Sequence, residues 1–410
     1  MAAKNILSLI FHLRCGNKVF TILILVISLI CKTSIADASS FITTKNIQKT
    51  FLYQRYSTLS FRGLLLSNTI IVSSCSQMST SPLNKRSAPV LFCISTSKPS
   101  SKTKSIISPL TRKTFENCNA LVTGASGGLG RALSLQLASS GVRNLFLTGR
   151  NLSSLEKIAK ECNRAALKGL SSSLHELSVH VLPCDLSKPE DVDQMAEKAL
   201  SLCENGAIDV LVNNGGLSSR SRFVDTLIDV DEYLMRVNFF SGAQLAKRLV
   251  PQMRLGAGGN NGGKIIWISS VQGLLGTPYR TSYAASKFAV QGYCQALRSE
   301  LSSENITVHV ASPGYISTDL SRSAKNGDGS QYGKMDKTTA NGADPDDVAL
   351  KILDSVAKGK MDFVVAVSLS AKVALLLKFI LPSFLHSILV KRYEKARILE
   401  ESQDQKKNNF

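Results

Sequence analysis

The chain has 410 residues, of which 44% are hydrophobic, enough for one large domain with extensions or for two domains. Its net charge of +19 first points to a nucleic-acid binder, but the charge is unevenly distributed. Residues 1–115 hold 15 Lys and Arg against one acid, Asp37, whereas residues 116–410 hold 34 against 29. Since the excess lies in the N-terminal extension, no nucleic-acid partner is expected.

Cysteine usage argues against a zinc site and against a dense disulfide framework. Nine cysteines are present, five of them in residues 116–410, and none of those five forms a C-x-x-C pair. We expect reduced and mostly buried thiols, and no bound metal.

Residues 1–113 are typical of a targeting or anchoring extension, largely disordered, because they are rich in Ser and Thr, basic and nearly free of acids. The apolar run 19–31 is shorter than the roughly 20 residues that span a bilayer. A cleaved leader, a marginal anchor and an artefact of the gene sequence remain alternatives. Residues 95–113 are expected to form a Ser- and Lys-rich linker.

From about residue 114 to 370, short apolar runs alternate with helical stretches. This alternation is typical of an α/β domain with a doubly wound parallel sheet of about seven strands, a Rossmann-type architecture. Such a sheet binds ligands at the carboxyl ends of its strands. The predicted strands are residues 120–122, 144–147, 179–183, 210–212, 264–268, 307–311 and 363–367.

Residues 371–410 form a third segment, in which the apolar run 373–390 is followed by a basic tail. The run is apolar on all sides, although Lys378, Pro382 and His386 interrupt it. We expect a hydrophobic helix that associates with a membrane surface, with ordinary packing against the core as the alternative.

The sequence TGASGGLG follows the first predicted strand and precedes a predicted helix at 132–138. Its glycines allow a tight turn and a close approach of the backbone to a pyrophosphate, and the helix N-terminus favours that negative charge. The motif therefore predicts a dinucleotide site. The candidate cofactor-binding residues here are Thr123, Gly124, Ser126, Gly128, Leu129 and Gly130.

The second predicted strand ends in Thr148-Gly149-Arg150. An NAD enzyme would place a carboxylate here for the ribose 2′-hydroxyl, whereas Arg150 offers a cation to a 2′-phosphate. The pattern favours NADP(H), unless Arg150 is merely a solvated residue at a helix start.

Two further strand ends carry polar residues. Asp185 follows the third strand and is suited to accept a hydrogen bond from an adenine amino group, with a helix N-cap as the alternative. Asn213 ends the fourth strand in NNGG, where small residues allow close approach to a cofactor, although a simple turn also uses Asn and Gly.

A possible catalytic set consists of Ser270, Tyr283 and Lys287, with Asn238 upstream. Tyr283 and Lys287 are four residues apart and therefore share one face of a helix. An ammonium beside a phenol stabilises the phenolate, so we expect Lys287 to lower the pKa of Tyr283 from its usual value near ~10. Ser270, at the end of the fifth strand, is placed to hold a substrate oxygen.

Together these motifs resemble the short-chain dehydrogenase/reductase family over residues 116–370. The resemblance is carried by TGASGGLG, NNGG, the SSVQG that contains Ser270, YAASK and PGYIST. It implies that Tyr283 is the acid/base, that Lys287 tunes it and binds the nicotinamide ribose, that Ser270 positions the carbonyl and that Asn238 supports a proton-relay water. It also implies cofactor contacts from Asn213, Pro313, Ile316 and Thr318. The family usually has NNAG where this chain has NNGG.

Three segments resemble a membrane-associated subgroup of this family, called dehydrogenase/reductase member 7B. They are SPGYISTDL, DGSQYGKMDKTTANG and ALLLKFILPSFLHSILVKR. This likeness implies an NADPH-dependent reduction of a ketone on a lipophilic substrate, such as acyl- or alkyl-dihydroxyacetone phosphate, at the endoplasmic reticulum membrane. The alternative locations are the peroxisomal membrane and an organelle reached by a transit peptide. The alternative functions are a retinoid or steroid dehydrogenase and a non-catalytic regulatory protein that binds the cofactor. A homo-oligomer is compatible with all of these.

The stretch between Thr318 and Asp344 is long for a connection inside a compact domain. We expect it to close over bound substrate, with a floppy insertion as the alternative. Arg322, Lys325 and Lys334 are the cations predicted to meet an anionic substrate head.

Overall fold

The computed structural model describes residues 107–169, 177–256 and 262–408. The predictions made for residues 1–106, including the apolar run 19–31, lie outside the described residues.

The folded domain begins earlier than predicted, with helix α1 (Pro109–Phe115). Ser108 caps this helix by accepting a hydrogen bond from the Thr111 backbone N–H at 3.1 Å, and Pro109 occupies the first helical position. Phe115 is fully buried in the core, and the Ser108 hydroxyl also donates to Asp354 at 3.2 Å. The prediction of a linker is therefore wrong for residues 109–113, because a capped helix with one buried aromatic ties them to the domain.

All seven predicted strands are present and form one parallel sheet in the order β3-β2-β1-β4-β5-β6-β7, which confirms the predicted Rossmann-type fold. The strands are β1 (Asn119–Thr123), β2 (Asn144–Gly149), β3 (Ser178–Pro183), β4 (Val210–Asn213), β5 (Gly263–Ile268), β6 (Ile306–Pro313) and β7 (Asp362–Val365).

Helices cover both faces of the sheet. They are α2 (Gly128–Ser139), α3 (Leu152–Gly169), α4 (Pro189–Ser201), α5 (Ile228–Met235), α6 (Ser241–Gly256), α7 (Thr281–Glu300), α8 (Lys337–Ala340) and α9 (Pro345–Ala357). Alternate strand residues face opposite sides, so that Ala120 and Val122 join the core under α2, α3 and α9, whereas Leu121 joins the core under α4, α6 and α7. Both faces of the central strands are therefore buried.

Helix α2 begins four residues before the predicted helix at 132–138. Gly128, Leu129 and Gly130 are its first turn, because glycines that permit the tight turn also start the helix that follows. The chain order of the strands reverses between β1 and β4, and in this fold that reversal opens a crevice at the carboxyl ends of the strands.

The apolar run near the C-terminus is not one helix but two, α10 (Leu369–Ile380) and α11 (Pro382–Asn408). The break falls at Leu381, because Pro382 can begin a helix but cannot continue one. Within the described part of the chain, no helix has the length and apolarity needed to cross a bilayer.

These two helices contact the rest of the α/β domain through a few side chains. Lys378 donates to the Leu274 carbonyl at 2.6 Å and lies 4.8 Å from the Phe288 ring centroid on α7. The Tyr393 ring lies 5.6 Å from that of Tyr279. Leu377 and Leu385 are buried, but other large apolar side chains of the pair are exposed, namely Leu369, Leu376, Phe379, Leu381, Phe384, Ile388, Val390 and Ile398.

The cysteines of the described residues are all free and buried, which confirms the expectation of mostly buried thiols for Cys118, Cys162, Cys184, Cys203 and Cys294.

Candidate active site

A cavity of about 350 Å³ opens at the carboxyl ends of the strands. We call its first part the glycine half, lined by residues 124, 126–130, 149–150, 184–186 and 214–216. The second part is the tyrosine half, lined by positions within residues 217–220, 268–287 and 313–323. The predicted dinucleotide motif and the predicted catalytic set thus share one cavity.

The glycine half is shaped by backbone that approaches backbone closely. Gly124 has φ +63°, and a Cβ added there would lie 2.7 Å from the Cα of Gly215. A Cβ on Gly130 would collide with the Gly124 carbonyl oxygen. Bare backbone at the N-terminus of a helix matches what a pyrophosphate requires, so these residues fit a dinucleotide.

Thr123 and Asn213, two of the residues predicted to bind the cofactor, lie behind the cavity lining and are not part of it. The Thr123 hydroxyl accepts from the backbone N–H of Asn214 at 3.0 Å and of Gly215 at 2.9 Å, and Thr123 does not line the cavity. Asn213 is buried and donates to the Gly242 carbonyl at 3.4 Å, away from the cavity. Asn214 lines the cavity instead, because successive residues at the strand end point to opposite sides.

Gly215 stands where the family usually has alanine. A Cβ there would collide with the Cδ1 atom of Leu186, which lines the cavity and fills this space. Where the sequence departs from NNAG, the Leu186 side chain therefore occupies the place of the methyl group.

Arg150 and Asp185 lie at the edge of the glycine half. Arg150 is exposed, lines the cavity and makes no ion pair with any described residue. Asp185 accepts from the backbone and hydroxyl of Ser187 at 3.0 and 2.9 Å, and it is not a helix N-cap, since Lys188 takes that position on α4. Burial opposes ionisation, but the Ser187 hydrogen bonds and the charge of Arg150 hold the pKa of Asp185 below its usual value.

The predicted catalytic residues Ser270, Tyr283 and Lys287 meet in the tyrosine half. Ser270 ends the loop after β5, where its Oγ accepts from the Gln272 backbone N–H at 3.1 Å, and its hydroxyl hydrogen-bonds to the Tyr283 phenol. Lys287 is one turn further along α7. Its Nζ donates to the Ile268 carbonyl at 2.9 Å and lies 5.9 Å from the Tyr283 ring centroid.

The electrostatics differ from the prediction that Lys287 lowers the pKa of Tyr283. Burial raises the pKa of Tyr283 above its ordinary value, against the lowering effect of the Ser270 hydrogen bond and of Arg280 and Arg220. Burial lowers the pKa of Lys287 to about 8. The Tyr283 phenol is therefore held protonated. Burial has a larger effect on its pKa than the Lys287 ammonium, which does not contact the phenol oxygen.

Asn238 does not line the cavity. It lies in a π-helical turn, Arg236–Phe240, where its Oδ1 accepts from the Leu217 N–H at 2.7 Å and its Nδ2 donates to the Leu217 carbonyl and the Ser286 hydroxyl, each at 2.9 Å. Asn238 thus joins the chain after β4 to the catalytic helix and acts as a positioning residue. π-Bulges of this kind are frequent at functional sites.

Pro313, Ile316 and Thr318 line the cavity as predicted. The loop that follows also contributes Asp319, Leu320, Ser321, Ser323 and Thr339 to the lining, whereas Arg322, Lys325 and Lys334 do not reach it. The predicted cation set is wrong in this respect: Arg322 pairs with Asp319 at 3.3 Å, and Lys325 donates to the Gly329 carbonyl at 2.8 Å.

Sequence reasoning missed two arginines of the tyrosine half, Arg220 and Arg280, and the carboxylate of Asp336 that binds both. No motif marks them, and Arg220 and Asp336 are 116 positions apart. The one available signal was Arg280 itself, a cation directly before the helix that carries Tyr283.

The chain was also compared with known proteins. The profile of the short chain dehydrogenase family matches residues 118–329. A Dehydrogenase/reductase SDR family member 7B from Xenopus tropicalis is 38% identical over 288 residues, which is 70% of this chain and 89% of that protein. Two solved structures share the fold, each with a TM-score of 0.51. One is a short-chain dehydrogenase from Sphingobium yanoikuyae in complex with NADPH, at 23% identity over 62% of this chain and 90% of the other. The other is a short chain dehydrogenase/reductase from Burkholderia phymatum in complex with NAD, at 22% identity over 61% of this chain and 89% of the other.

Proposed function

Because this chain belongs to the short-chain dehydrogenase family, we propose that it is an NADPH-dependent enzyme that reduces a ketone on a lipophilic substrate. The observation that carries the proposal is the single cavity in which a glycine-lined dinucleotide cradle meets Ser270, Tyr283 and Lys287. The proposed substrates include acyl- and alkyl-dihydroxyacetone phosphates.

The preference for NADPH is argued from Gly149 and Arg150. A Cβ on Gly149 would lie 2.9 Å from the Ser126 hydroxyl and would displace it, and glycine itself supplies no carboxylate for the ribose of NAD. Arg150 beside it is exposed and has no carboxylate partner among the described residues. It is available to pair with a 2′-phosphate.

Tyr283 acts as the acid in this proposal. When bound, the reduced nicotinamide supplies a hydride to the carbonyl carbon. The Ser270 hydroxyl orients the carbonyl oxygen, and the Tyr283 phenol, which burial keeps protonated, gives its proton to that oxygen as the carbonyl π bond breaks. The product is an alcohol, and the remaining phenolate is stabilised by the Ser270 hydrogen bond and by the positive charges of Arg280 and Arg220.

The assay that tests the reaction measures NADPH oxidation by the purified protein with a panel of carbonyl compounds, three ketones and one aldehyde. The panel holds an alkyl dihydroxyacetone phosphate, its phosphate-free analogue, a retinaldehyde and a ketosteroid. We expect turnover of one of the first two. Turnover of the retinoid or steroid alone would make the enzyme a retinoid or steroid dehydrogenase, and no turnover at all would contradict the proposal.

The lipophilic substrate is argued from the exposed apolar side chains of α10 and α11. These helices contact Leu274 and Tyr279, which are close in the sequence to the lining residues Gln272 and Arg280. Leu369 and Phe379 are 77% and 80% exposed. We propose that this surface rests on a membrane and that the enzyme draws its substrate from the lipid there. The proposed membrane is that of the endoplasmic reticulum, with the peroxisomal membrane as the alternative.

Leu369→Ser and Phe379→Ser test the membrane contact by co-sedimentation with phospholipid vesicles. Each variant should weaken binding by roughly tenfold, since burying a Leu or Phe side chain is worth about 1.5–3 kcal/mol. Leu167→Ser is the matched control, since Leu167 on α3 is 76% exposed on the other face of the sheet. Unchanged binding in the tail variants would transfer the anchor to residues 19–31.

A further inference from the structure

Two arginines face the substrate side of the cavity and share one carboxylate. Arg220 Nη2 lies 2.6 Å from Asp336 Oδ2, and Arg280 Nη2 lies 3.1 Å from the same oxygen. All three side chains are largely buried, with 9%, 14% and 17% of their surface exposed. Both arginines line the cavity beside Tyr283, whereas Asp336 does not line it.

The charges of this cluster do not balance. Burial raises the pKa of Asp336, but the hydrogen bond from Arg220 and the charges of both arginines outweigh it and hold that pKa below its usual value. Asp336 is therefore ionised, and two guanidinium groups with one carboxylate leave a net charge of +1. An unbalanced charge in a half-enclosed site is costly unless a further anion completes it.

The two arginines differ in how many hydrogen bonds their side chains make within the protein. Arg220 donates to the Ser218 hydroxyl at 2.6 Å and the Ser219 carbonyl at 2.7 Å in addition to Asp336. Arg280 hydrogen-bonds, among the described residues, to Asp336 alone, through Nη2. Its Nε and Nη1 donors are consequently available to a molecule in the cavity.

The backbone position of Arg280 strengthens this reasoning. Arg280 is the N-cap of α7, with φ −139° and ψ 27°, and its side chain does not cap the helix. A cation at a helix N-terminus opposes the helix dipole, and such positions ordinarily hold Ser, Thr, Asp or Asn. Burial and then the charge of Arg220 lower the pKa of Arg280 to about 10, in keeping with this crowding of positive charge. An anion placed here would be stabilised by both guanidinium groups and by the helix N-terminus.

We propose that Arg280, supported by Arg220 and the N-terminus of α7, binds an anionic group of the ketone substrate, either a phosphate ester or a carboxylate. This inference rests on the proposed function. Arg280 precedes Tyr283 by three residues, a spacing that separates Cβ atoms by about 5–6 Å on a helix. The anionic group therefore lies only a few bonds from the carbonyl that Tyr283 protonates, and the apolar chain extends from the other side of the carbonyl.

The experiment compares Arg280→Gln with wild-type protein on two matched pairs of ketones. The first pair is 1-O-hexadecyl dihydroxyacetone phosphate and 1-O-hexadecyl dihydroxyacetone, and the second is a keto fatty acid and its methyl ester. For the preferred anion, Arg280→Gln should raise KM by about ten- to a hundredfold, as expected for lost charge-assisted hydrogen bonds. The KM for the uncharged partner should stay within about twofold. Which pair shows the larger discrimination identifies the anion as phosphate or carboxylate.

Three controls keep the result interpretable. Arg164→Gln removes an exposed arginine of α3 that lies off the cavity and should change neither KM. Arg280→Lys keeps the charge but loses the planar fork, so that its KM for the anion should be intermediate. The dissociation constant for NADPH, from fluorescence, should be unchanged in every variant and also reports on folding.

An equal effect of Arg280→Gln on charged and uncharged ketones would overturn the inference and leave Arg280 as a group that only tunes Tyr283. A wild-type enzyme that prefers the uncharged partner of both pairs would overturn it as well, without affecting the proposed reductase activity. If wild-type protein reduced none of the four ketones, the proposed function would fail instead. Calorimetry would then decide the inference: the hexadecyl phosphate or the keto acid must bind to wild type and not to Arg280→Gln.

Discussion

In the glycine half of the cavity, half of the lining residues are glycines, whereas in the tyrosine half nearly every lining residue carries a side chain. The glycine half comes chiefly from the turns that follow β1, β2, β3 and β4, and its shape depends on positions where a Cβ has no room. The tyrosine half brings together Arg220, Ser270, Tyr283 and Thr318 from distant parts of the chain. A ligand common to many enzymes can be held by the first kind of surface, while the second kind can be varied one side chain at a time.

Tyr283→Phe should separate the roles of the two halves most clearly, because it affects turnover and not cofactor binding. The ring and its packing remain, but the proton donor is lost, so kcat for ketone reduction should fall by about 10²–10⁴-fold. The dissociation constant for NADPH should hardly change, since the glycine half is untouched. A variant that keeps more than about a tenth of the wild-type rate would show that Tyr283 is not the acid.

Arg150→Ala probes the opposite half. Loss of the pair with the 2′-phosphate should weaken NADPH binding by roughly 10- to 100-fold, which corresponds to about 1.5–3 kcal/mol, and leave NADH binding nearly unchanged. Saturating NADPH should restore the wild-type kcat. Equal losses for both cofactors would mean that Arg150 supports the loop and not the phosphate.

The pH dependence of turnover reports on the tyrosine half alone. Burial lowers the pKa of Lys287 to about 8, so this ammonium is charged below pH 8 and loses its proton above it. Since burial raises the pKa of Tyr283, the phenol stays protonated over the same range. We expect kcat for reduction to be flat below about pH 8 and then to fall by up to about tenfold per pH unit, because a neutral Lys287 no longer helps to stabilise the phenolate that proton transfer leaves on Tyr283. A rate that stays constant to pH 10, with the protein still folded, would remove Lys287 from the reaction.

The smallest expected effect lies where the two halves touch. A Cβ on Gly128 would lie 2.7 Å from the Cγ2 methyl of Thr318. Gly128→Ala should weaken NADPH binding by roughly fivefold, equivalent to about 1 kcal/mol of overpacking. Adding Thr318→Ser, which removes that methyl, should restore most of the affinity, and additive losses in the double variant would contradict the contact.

The sequence predicts well the features that depend on residues close together in the chain. The seven strands follow from short apolar runs, and the dinucleotide cradle follows from glycines at fixed spacing. The capping signal Ser108-Pro109 is also present in the sequence, but a helix of seven residues is too short to show a periodicity, so the composition of this stretch predicts a linker.

Features that depend on the tertiary structure, such as burial and contacts between distant residues, could not be predicted in this way. Neighbouring residues at the end of β4 point in alternate directions, so Asn214 lines the cavity and the predicted residue, Asn213, does not. The pKa of Tyr283 depends on burial, which the spacing of Tyr283 and Lys287 does not reveal. The meeting of Arg220, Arg280 and Asp336 requires the folded loop after β6, and nothing in the loop's Gly- and Ser-rich sequence indicates it.

The central claim is that a hydride passes from a cofactor held by the glycine half to a ketone held by the tyrosine half. It is tested most directly by incubating the full chain with 1-O-hexadecyl dihydroxyacetone phosphate and NADPH deuterated at either C4 position, followed by mass spectrometry of the alcohol. The account predicts one deuterium on the carbinol carbon from one of the two labelled cofactors and none from the other. An alcohol that carries no deuterium with either cofactor, or no alcohol from any of the ketones above, would contradict it.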